Sequence, residues 1–239
     1  TSGTLTPTYD NPSNNFATFN PVNSPAGYDP TYANGNTTVT TQDSGGTYFG
    51  GTSTLGMSAG KWYAEFKIAN ANVASMCGVQ GSPQLQAKDR QQTGYTTNGF
   101  AYISTDGNKK TNASSSAYGN SYGTSNVIGV ALDLDNLKVY FAKDNTWQDS
   151  GDPTSGATGT GAAFTVTAPS STPGGFYTFS CSDNAGGWMI WDVNFGNGYF
   201  GTTAVTSAEA DGAGLGAFEF APPTGYYALC TKNIKAYGG

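Results

Sequence analysis

The stretch VIGVALDLDNLKVYFAKDNTW, residues 127–147, holds two rows of alternating apolar side chains with a short polar turn between them. The apolar positions are Ile128, Val130, Leu132 and Leu134 in the first row, and Leu137, Val139 and Phe141 in the second. Side chains alternate across a β-strand, so each row is one face of a strand. A turn as short as Asp135-Asn136 cannot make a parallel crossover. The stretch therefore predicts that residues 127–134 and 137–143 form adjacent antiparallel strands.

A second stretch, GKWYAEFKI at residues 60–68, alternates in the same way. The apolar side has Trp62, Ala64, Phe66 and Ile68, and the other side has Tyr63, Glu65 and Lys67. This pattern predicts a strand that is half-buried in a sheet.

Further strands are predicted at residues 15–21, 32–41, 74–81, 98–105, 176–181, 188–195 and 215–220. No segment of helical length has an apolar period near 3.6, so we expect no helix longer than about two turns. About ten strands separated by Gly- and Asn-rich turns predict an all-β fold, a two-sheet antiparallel β-sandwich.

The charge balance argues against two classes of partner. The chain has 239 residues, with 10 Lys and Arg against 16 Asp and Glu. Nucleic-acid binders carry a basic stripe, which is missing here, so no nucleic acid is expected. The sequence has no run of about 18 or more apolar residues, so no membrane insertion is expected.

Residues 1–14 are polar and contain two prolines, which predicts an extended N-terminal arm before a single domain at residues 15–239.

Catalytic and metal-binding residue patterns are also missing from the sequence. The chain has no histidine, which excludes Ser-His-Asp and Cys-His catalysis and His-ligated zinc. Asp133 and Asp135 suggest a carboxylate pair or calcium ligands. Calcium needs about six to eight oxygens, and the spacing E-x-D-x-x-E of concanavalin-type glycosidases is absent from the sequence. Cys77, Cys181 and Cys230 lack a paired spacing, so we expect buried, reduced thiols. We therefore expect no enzymatic activity, no cofactor and no metal site.

Together, the two stretches resemble the SPRY domain family. In that family a GKWYWE-like strand precedes a hairpin of the form IGVALDLDNGKLYFSKNGxW, where this chain has IGVALDLDNLKVYFAKDNTW. The resemblance covers about residues 15–235 and implies a concanavalin-like jelly roll that binds a partner through its loops.

One residue departs from the family pattern: Leu137 stands where the family has glycine. A type I′ turn needs positive φ at both central residues, which leucine resists. Either the turn is Asp135-Asn136 alone, with Leu137 already in the strand, or the loop is of another type.

Residues 10–21, DNPSNNFATFNP, are similar to the start of SPRY-type structural proteins of bacteriophages and environmental viruses. That resemblance implies a capsid decoration or fibre protein at the virion surface, whose partners are capsid or fibre subunits of the same particle. A second copy of the chain is a further candidate partner. The alternative is a lectin-like module that binds a host surface glycan or protein.

Aromatic residues in the Gly-, Ser- and Asn-rich loops are the candidate binding residues: Tyr95, Tyr118, Tyr122, Trp147 and Trp188. Tyrosine and tryptophan give a large contact area at low entropy cost, and Ser, Gly and Asn give adaptable hydrogen bonds. The alternative for each residue is that it packs over the edge of a sheet. As a group they predict the surface that faces a partner.

Overall fold

A computed structural model describes residues 9–23, 30–41, 50–71, 74–82, 92–184 and 187–238. The strands are β1 Thr31–Ala33, β2 Thr38–Thr40, β3 Gly51–Thr52, β4 Lys61–Ala71, β5 Ser75–Ser82, β6 Gly99–Ile103, β7 Lys109–Thr111, β8 Ser114–Ser116, β9 Val127–Asp133, β10 Lys138–Lys143, β11 Thr146–Trp147, β12 Phe164–Thr165, β13 Phe176–Asp183, β14 Met189–Asn194, β15 Tyr199–Phe200, β16 Thr203–Ala204 and β17 Tyr227–Ala228. The α-helix α1 spans Thr231–Tyr237, and its 7 residues make about two turns. No helix in the described ranges has the length and apolar character needed to cross a membrane.

The strands form two main sheets, which confirms the predicted β-sandwich. The first sheet has the order β1-β2-β14-β4-β9-β10-β11, with β12 beside β10 and the short β17 running parallel to β4. The second sheet has the order β3-β13-β5-β6-β7-β8, and β15 and β16 form a separate ribbon. Apart from β17, every neighbouring pair of strands is antiparallel.

The predicted hairpin is confirmed. Strands β9 and β10 pair antiparallel, and the pair nearest the turn is Asp133 with Lys138. Residues 134–137 therefore form a loop longer than the two-residue turn, and Leu137 adopts the left-handed conformation with φ of 57°. The alternative with Leu137 already in the strand is thus wrong, because Leu137 occupies the glycine position of the family with a glycine-like backbone.

The main core lies between the two sheets. It contains the predicted apolar rows of β4, β9 and β10, and Trp62 and Trp191 are completely buried in it. The ring of Phe66 meets Trp191 edge-on at 5.9 Å and Phe195 edge-on at 6.3 Å. The alternating residues seen in the sequence thus fill the space between the layers.

The prediction that β4 is half-buried is wrong. Tyr63 and Glu65, on its outer side, are 2% and 0% exposed. A second, smaller core covers this face of the first sheet, and its buried members are Phe16, Tyr63, Ala131, Tyr140, Phe218, Tyr226, Ala228 and Cys230. Segments from both ends of the chain supply the covering residues, which a pattern within one strand cannot show.

Other segments also differ from the sequence predictions. Residues 15–21 form no strand and make only isolated bridges at Phe16 and Phe19. Residues 215–220 do not form a strand: Ala217 and Phe218 make only isolated bridges, and Gly216 has a φ of 83° that interrupts an extended backbone. Conversely, residues 109–116, for which no strand was predicted, form the hairpin of β7 and β8. Its turn is made by Asn112 and Ala113, both at positive φ.

The N-terminal and C-terminal segments lie side by side. Phe16 forms a β-bridge with Cys230, and the amide of Thr231 donates to the carbonyl of Asn15 at 2.9 Å. Residues 1–8 of the predicted arm lie outside the described residues. Its last residue, Asn14, is buried, and its side chain accepts a hydrogen bond from the amide of Lys232 at 3.1 Å.

Candidate binding surface

Tyr118 lies in the loop 117–126, which joins the two sheets at one end of the sandwich. Its ring is half-buried and meets Tyr102 and Phe141 edge-on at 5.8 and 6.1 Å. Its hydroxyl donates to the carbonyl of Gly161 at 3.3 Å. Burial raises the pKa of the Tyr118 hydroxyl above its ordinary value. The core therefore fixes this ring while leaving part of it at the surface.

Tyr122 lies in the same loop but belongs to the main core. It is 7% exposed, and its hydroxyl donates to the carbonyl of Tyr102 at 2.8 Å. The same hydroxyl lies 3.7 Å from the sulfur of Cys77. Tyr122 was expected at the partner-facing surface, and the structure instead gives it a packing role.

Trp147 lies on the opposite side of β10 from Tyr118. It is half-buried against the second core and meets Tyr140 edge-on at 6.5 Å. The next residue, Gln148, is buried, and its side-chain oxygen accepts a hydrogen bond from the amide of Asn120 at 2.8 Å. This bond joins the loop of Tyr118 to that of Trp147, so the two aromatic residues share one end of the sandwich.

Tyr95 lies apart from this end, on the outer face of the second sheet. Its segment, residues 92–96, crosses that face through hydrogen bonds to β13 and β5. The Nζ of Lys110 lies 6.0 Å from the Tyr95 ring. Lys109, the neighbouring residue in β7, points to the other face and lies 5.3 Å from the Tyr118 ring. The sheet therefore separates Tyr95 from Tyr118.

Trp188 lies between β13 and β14 and is partly exposed. The amide of Asn184, at the start of the same connection, donates to the carbonyl of Ala74 at 2.8 Å. Ser75, next to Ala74, accepts a hydrogen bond from the amide of Ser104 at 2.9 Å, and the carbonyl of Ser104 accepts one from the amide of Tyr122 at 2.8 Å. Trp188 thus lies at the same end of the molecule as Tyr118 and Trp147. We name this end, with Tyr118, Trp147 and Trp188, the aromatic end.

Glu65 is a buried acid that anchors the segment covering the first sheet. Its two oxygens accept hydrogen bonds from the amides of Glu219 and Phe220, both at 2.8 Å. Asn194 donates to the same carboxyl at 3.1 Å, and the Tyr63 hydroxyl donates at 3.3 Å. Burial raises the pKa of Glu65 to about 8, although these hydrogen bonds oppose the shift. No sequence pattern indicates this network, because three of its four donors lie more than a hundred residues from Glu65 in the chain.

Asp133 and Asp135 organise the hairpin turn. Asp133 is buried and pairs with Lys61 at 2.8 Å, and it accepts hydrogen bonds from the amide and side chain of Asn136. Asp135 is exposed and accepts a hydrogen bond from the amide of Gly60 at 3.0 Å. Among the described residues, no group of three or more acids and cysteines is arranged to hold a metal ion.

A cleft of about 310 Å³ lies at the other end of the sandwich, beside the hairpin turn. It is lined by Ala59, Gly60, Lys61, Asp135, Gly225, Tyr227 and Tyr237. The two tyrosine rings stack in parallel, with centroids 3.7 Å apart and an interplanar angle of 4°. Sequence reasoning missed this site because α1, which positions Tyr237, has no helical pattern in the sequence.

The comparison with protein families agrees with the sandwich and its central hairpin. The family model of the SPRY domain matches residues 38–182, more than half of the chain. The chain belongs to the SPRY domain family. SPRY domains are protein–protein interaction modules and are in general non-catalytic.

Solved structures support the same SPRY fold. The crystal structure of the SPRY domain of human HERC1 is similar with a TM-score of 0.51 and 16% sequence identity. The alignment covers 73% of this chain and 96% of the HERC1 chain. Among curated proteins, no sequence matches this chain. The family match ends before Tyr227 and Tyr237, so the cleft is built partly from residues beyond it.

Proposed function

We propose that this SPRY domain is a non-catalytic structural module of a virus particle, which binds a neighbouring capsid or fibre subunit through its aromatic end. The observation that carries the proposal is the pair Tyr118 and Trp147. Both rings are held by the core and partly exposed, and Gln148 links their loops.

The pair has the physical character of an interface anchor. Residues that dominate binding energy are often tyrosines and tryptophans whose rings are already fixed before the partner arrives. Asn120 and Asn145 beside them are exposed, and they can form the polar rim that surrounds such anchors. A protein subunit offers the extended surface that two separated rings require.

The viral assignment is supported by the similarity of residues 10–21 to the start of phage and environmental virus proteins. A surface with few charged residues and polar, Gly- and Ser-rich loops also suits the outside of a particle. Residues 11–14 of the N-terminal arm form a closed turn whose last residue is bonded to α1, so only the part of the arm before this turn, residues 1–8, is proposed as a second contact with a neighbouring subunit.

Site-specific photo-crosslinking on native particles tests the proposal. A photoreactive residue replaces Asn120 or Asn145 at the aromatic end. The control position is Val22, which is 89% exposed and is not one of the residues of the aromatic end. We expect the two positions at the aromatic end, but not position 22, to crosslink to a capsid or fibre subunit identified by mass spectrometry. Absence of the chain from purified particles would contradict the viral role.

The contribution of the anchor is tested with Trp147→Ala. Truncating an anchor commonly costs about 2 kcal/mol or more of binding free energy. We expect this variant to melt as a folded domain and to lose most of the crosslinking from position 120. Unchanged crosslinking would place the contact outside the aromatic end. Tyr122→Ala is unsuitable for this test, because that residue is buried and its loss would destabilise the fold.

A further inference from the structure

The cleft beside the hairpin turn lies at the opposite end of the sandwich from Tyr118 and Trp147. Four separate parts of the chain converge on it: residues 59–61, Asp135, residues 225–227 and Tyr237. We propose that this cleft binds a saccharide unit, with the sugar ring on the face of Tyr237 and its hydroxyls on Asp135 and Lys61. The site is separate from the proposed protein interface, so the two proposals stand or fall independently.

The tyrosine pair provides a fixed platform. Tyr237 is 39% exposed, although one face of its ring is covered by Tyr227 at 3.7 Å. Its backbone lies against Gly60, where a side chain would collide with the Tyr237 carbonyl. An aromatic face is electron-rich and attracts the C–H groups on the face of a sugar ring. Because the ring is already held, little side-chain entropy is lost on binding.

The polar groups of the cleft supply both an acceptor and a donor. One oxygen of Asp135 accepts a hydrogen bond from the amide of Gly60, and no described residue donates to the other. Lys61 pairs with Asp133 at 2.8 Å. An ammonium group has three N–H donors, so it retains donors for a ligand. Neighbouring hydroxyls of a sugar can donate to the carboxylate and accept from the ammonium.

The size and charge of the cleft favour a sugar over other ligands. Its volume of about 310 Å³ is at the lower end for ligand pockets and suits a small ring. An anion would meet the charge of Asp135, and a cation would meet the ammonium of Lys61. A hydroxyl-rich neutral ligand satisfies both groups without burying a net charge.

Saturation-transfer NMR with the full chain tests the proposal. The probes are D-glucose, D-galactose, D-mannose and N-acetyl-D-glucosamine, and an arginine-containing tripeptide is included as a cationic probe. We expect saturation transfer to at least one sugar, strongest at its ring C–H protons. Transfer to the tripeptide alone, or to none of the probes, would overturn the proposal.

Three variants locate the binding. Tyr237→Ala should weaken sugar binding by roughly tenfold or more, as expected for a lost anchor. Tyr237→Phe keeps the ring face and should bind within about twofold of the wild type, which separates loss of stacking from loss of folding. The control is Tyr9→Ala, at a tyrosine that is 54% exposed and lies near Gly198. Wild-type affinity in Tyr237→Ala, or an equal loss in Tyr9→Ala, would exclude this cleft as the site.

Discussion

The Glu65 carboxyl holds a covering segment onto the first sheet from a fully buried position. One of its oxygens accepts the amide of Phe220, and the other accepts the amide of Glu219. In Glu65→Gln, the amide nitrogen must face one of these N–H groups, whichever way the side chain is turned. We therefore expect a loss of about 1–3 kcal/mol in the free energy of unfolding at pH 7. Urea denaturation measures it, and an unchanged midpoint would contradict this account.

The same residue predicts a pH dependence of stability. Burial raises the folded-state pKa of Glu65 to about 8 from an ordinary value of 4.5. The folded chain thus binds this proton more tightly than the unfolded chain does. The stabilisation is complete below about pH 4.5 and is lost as the pH rises through 8.

Burial also raises the pKa of Asp192. Because Asp192 is present in both the wild type and Glu65→Gln, comparing the two proteins isolates the effect of Glu65. We expect the stability difference between the wild type and the variant to shrink from pH 5 to pH 9 in denaturation curves. A difference that grows over this range would reverse the sign and refute the raised pKa.

Leu137 carries backbone strain at the hairpin turn, because its φ of 57° brings the β-carbon close to the backbone. Leu137→Gly and Leu137→Ala both remove most of the leucine side chain, but only glycine removes the strain. After allowing for the greater freedom of unfolded glycine, we expect the Gly variant to be about 0.5–1 kcal/mol more stable than the Ala variant. Thermal denaturation of both variants measures the difference.

The matched control for Leu137 is Ala131→Gly in the neighbouring strand β9. At that ordinary strand position, glycine should be less stable than alanine. If the Ala variant at position 137 is also the more stable one, the turn does not hold the leucine in the left-handed conformation.

One buried carboxylate links the helix α1 to the sandwich. Asp211 accepts hydrogen bonds from the amide of Ala228 at 2.9 Å and from the side chain of Asn233 at 2.7 Å. Its other oxygen accepts the amides of Ala213 and Leu215. The first two residues of α1 also bond to Asn15 and Asn14, and Tyr237 stacks on Tyr227.

Asp211→Asn should loosen α1 more than it loosens the sheets. The new amide nitrogen, which cannot accept a hydrogen bond, would face either the amides of Ala213 and Leu215 or the donors at Ala228 and Asn233. Hydrogen exchange followed by mass spectrometry should show faster exchange of residues 231–237 and little change in β9. The control is Asp152→Asn, at an exposed carboxyl that accepts a hydrogen bond from the amide of Thr154. Unchanged exchange in α1 would show that other contacts hold it.

Elements with a local pattern were predictable from the sequence, and elements that depend on distant partners were not. The hairpin of β9 and β10 has apolar side chains at every second residue, and its register follows from the short turn between the rows. The pattern at residues 60–68 predicted the strand but not the burial of Tyr63 and Glu65, because segments from both ends of the chain cover them. The cleft tyrosines were missed because α1, which positions Tyr237, has no helical pattern in the sequence.

The candidate site was predictable only in part. Loop composition identified Tyr118 and Trp147, which the structure places at one end of the sandwich. It could not separate them from Tyr122, which lies only four residues after Tyr118 but points into the core. Nor could it show that Tyr95 lies on a different face, since this depends on how the segment 92–96 crosses the sheet.

Across the whole molecule, the three thiols report on both cores. Cys77 and Cys181 lie opposite each other in the main core, and Cys230 lies in the second core. All three are buried and form no disulfide, and burial raises the pKa of Cys77 to about 12. We expect no reaction with a thiol reagent in the native protein, because the reactive thiolate is both scarce and inaccessible.

Labelling at increasing denaturant concentration then shows whether the two cores unfold together. We expect all three cysteines to become reactive at one midpoint, which mass spectrometry of the labelled peptides can follow. Earlier labelling of Cys230 would show that the second core opens independently. A native mass lower by two hydrogens would show that a disulfide is present.

The side-by-side pairing of residues 15–17 with residues 229–231 also determines how the domain responds to mechanical force. In this antiparallel pairing, the flanking chain leaves from neighbouring points, beyond Asn15 and Thr231. Tension between the two ends therefore breaks the hydrogen bonds of this pairing one after another, as in opening a zipper. The two sheets bear no load until these bonds have broken. We therefore expect the paired termini to separate at a lower force than the one that unfolds the sandwich.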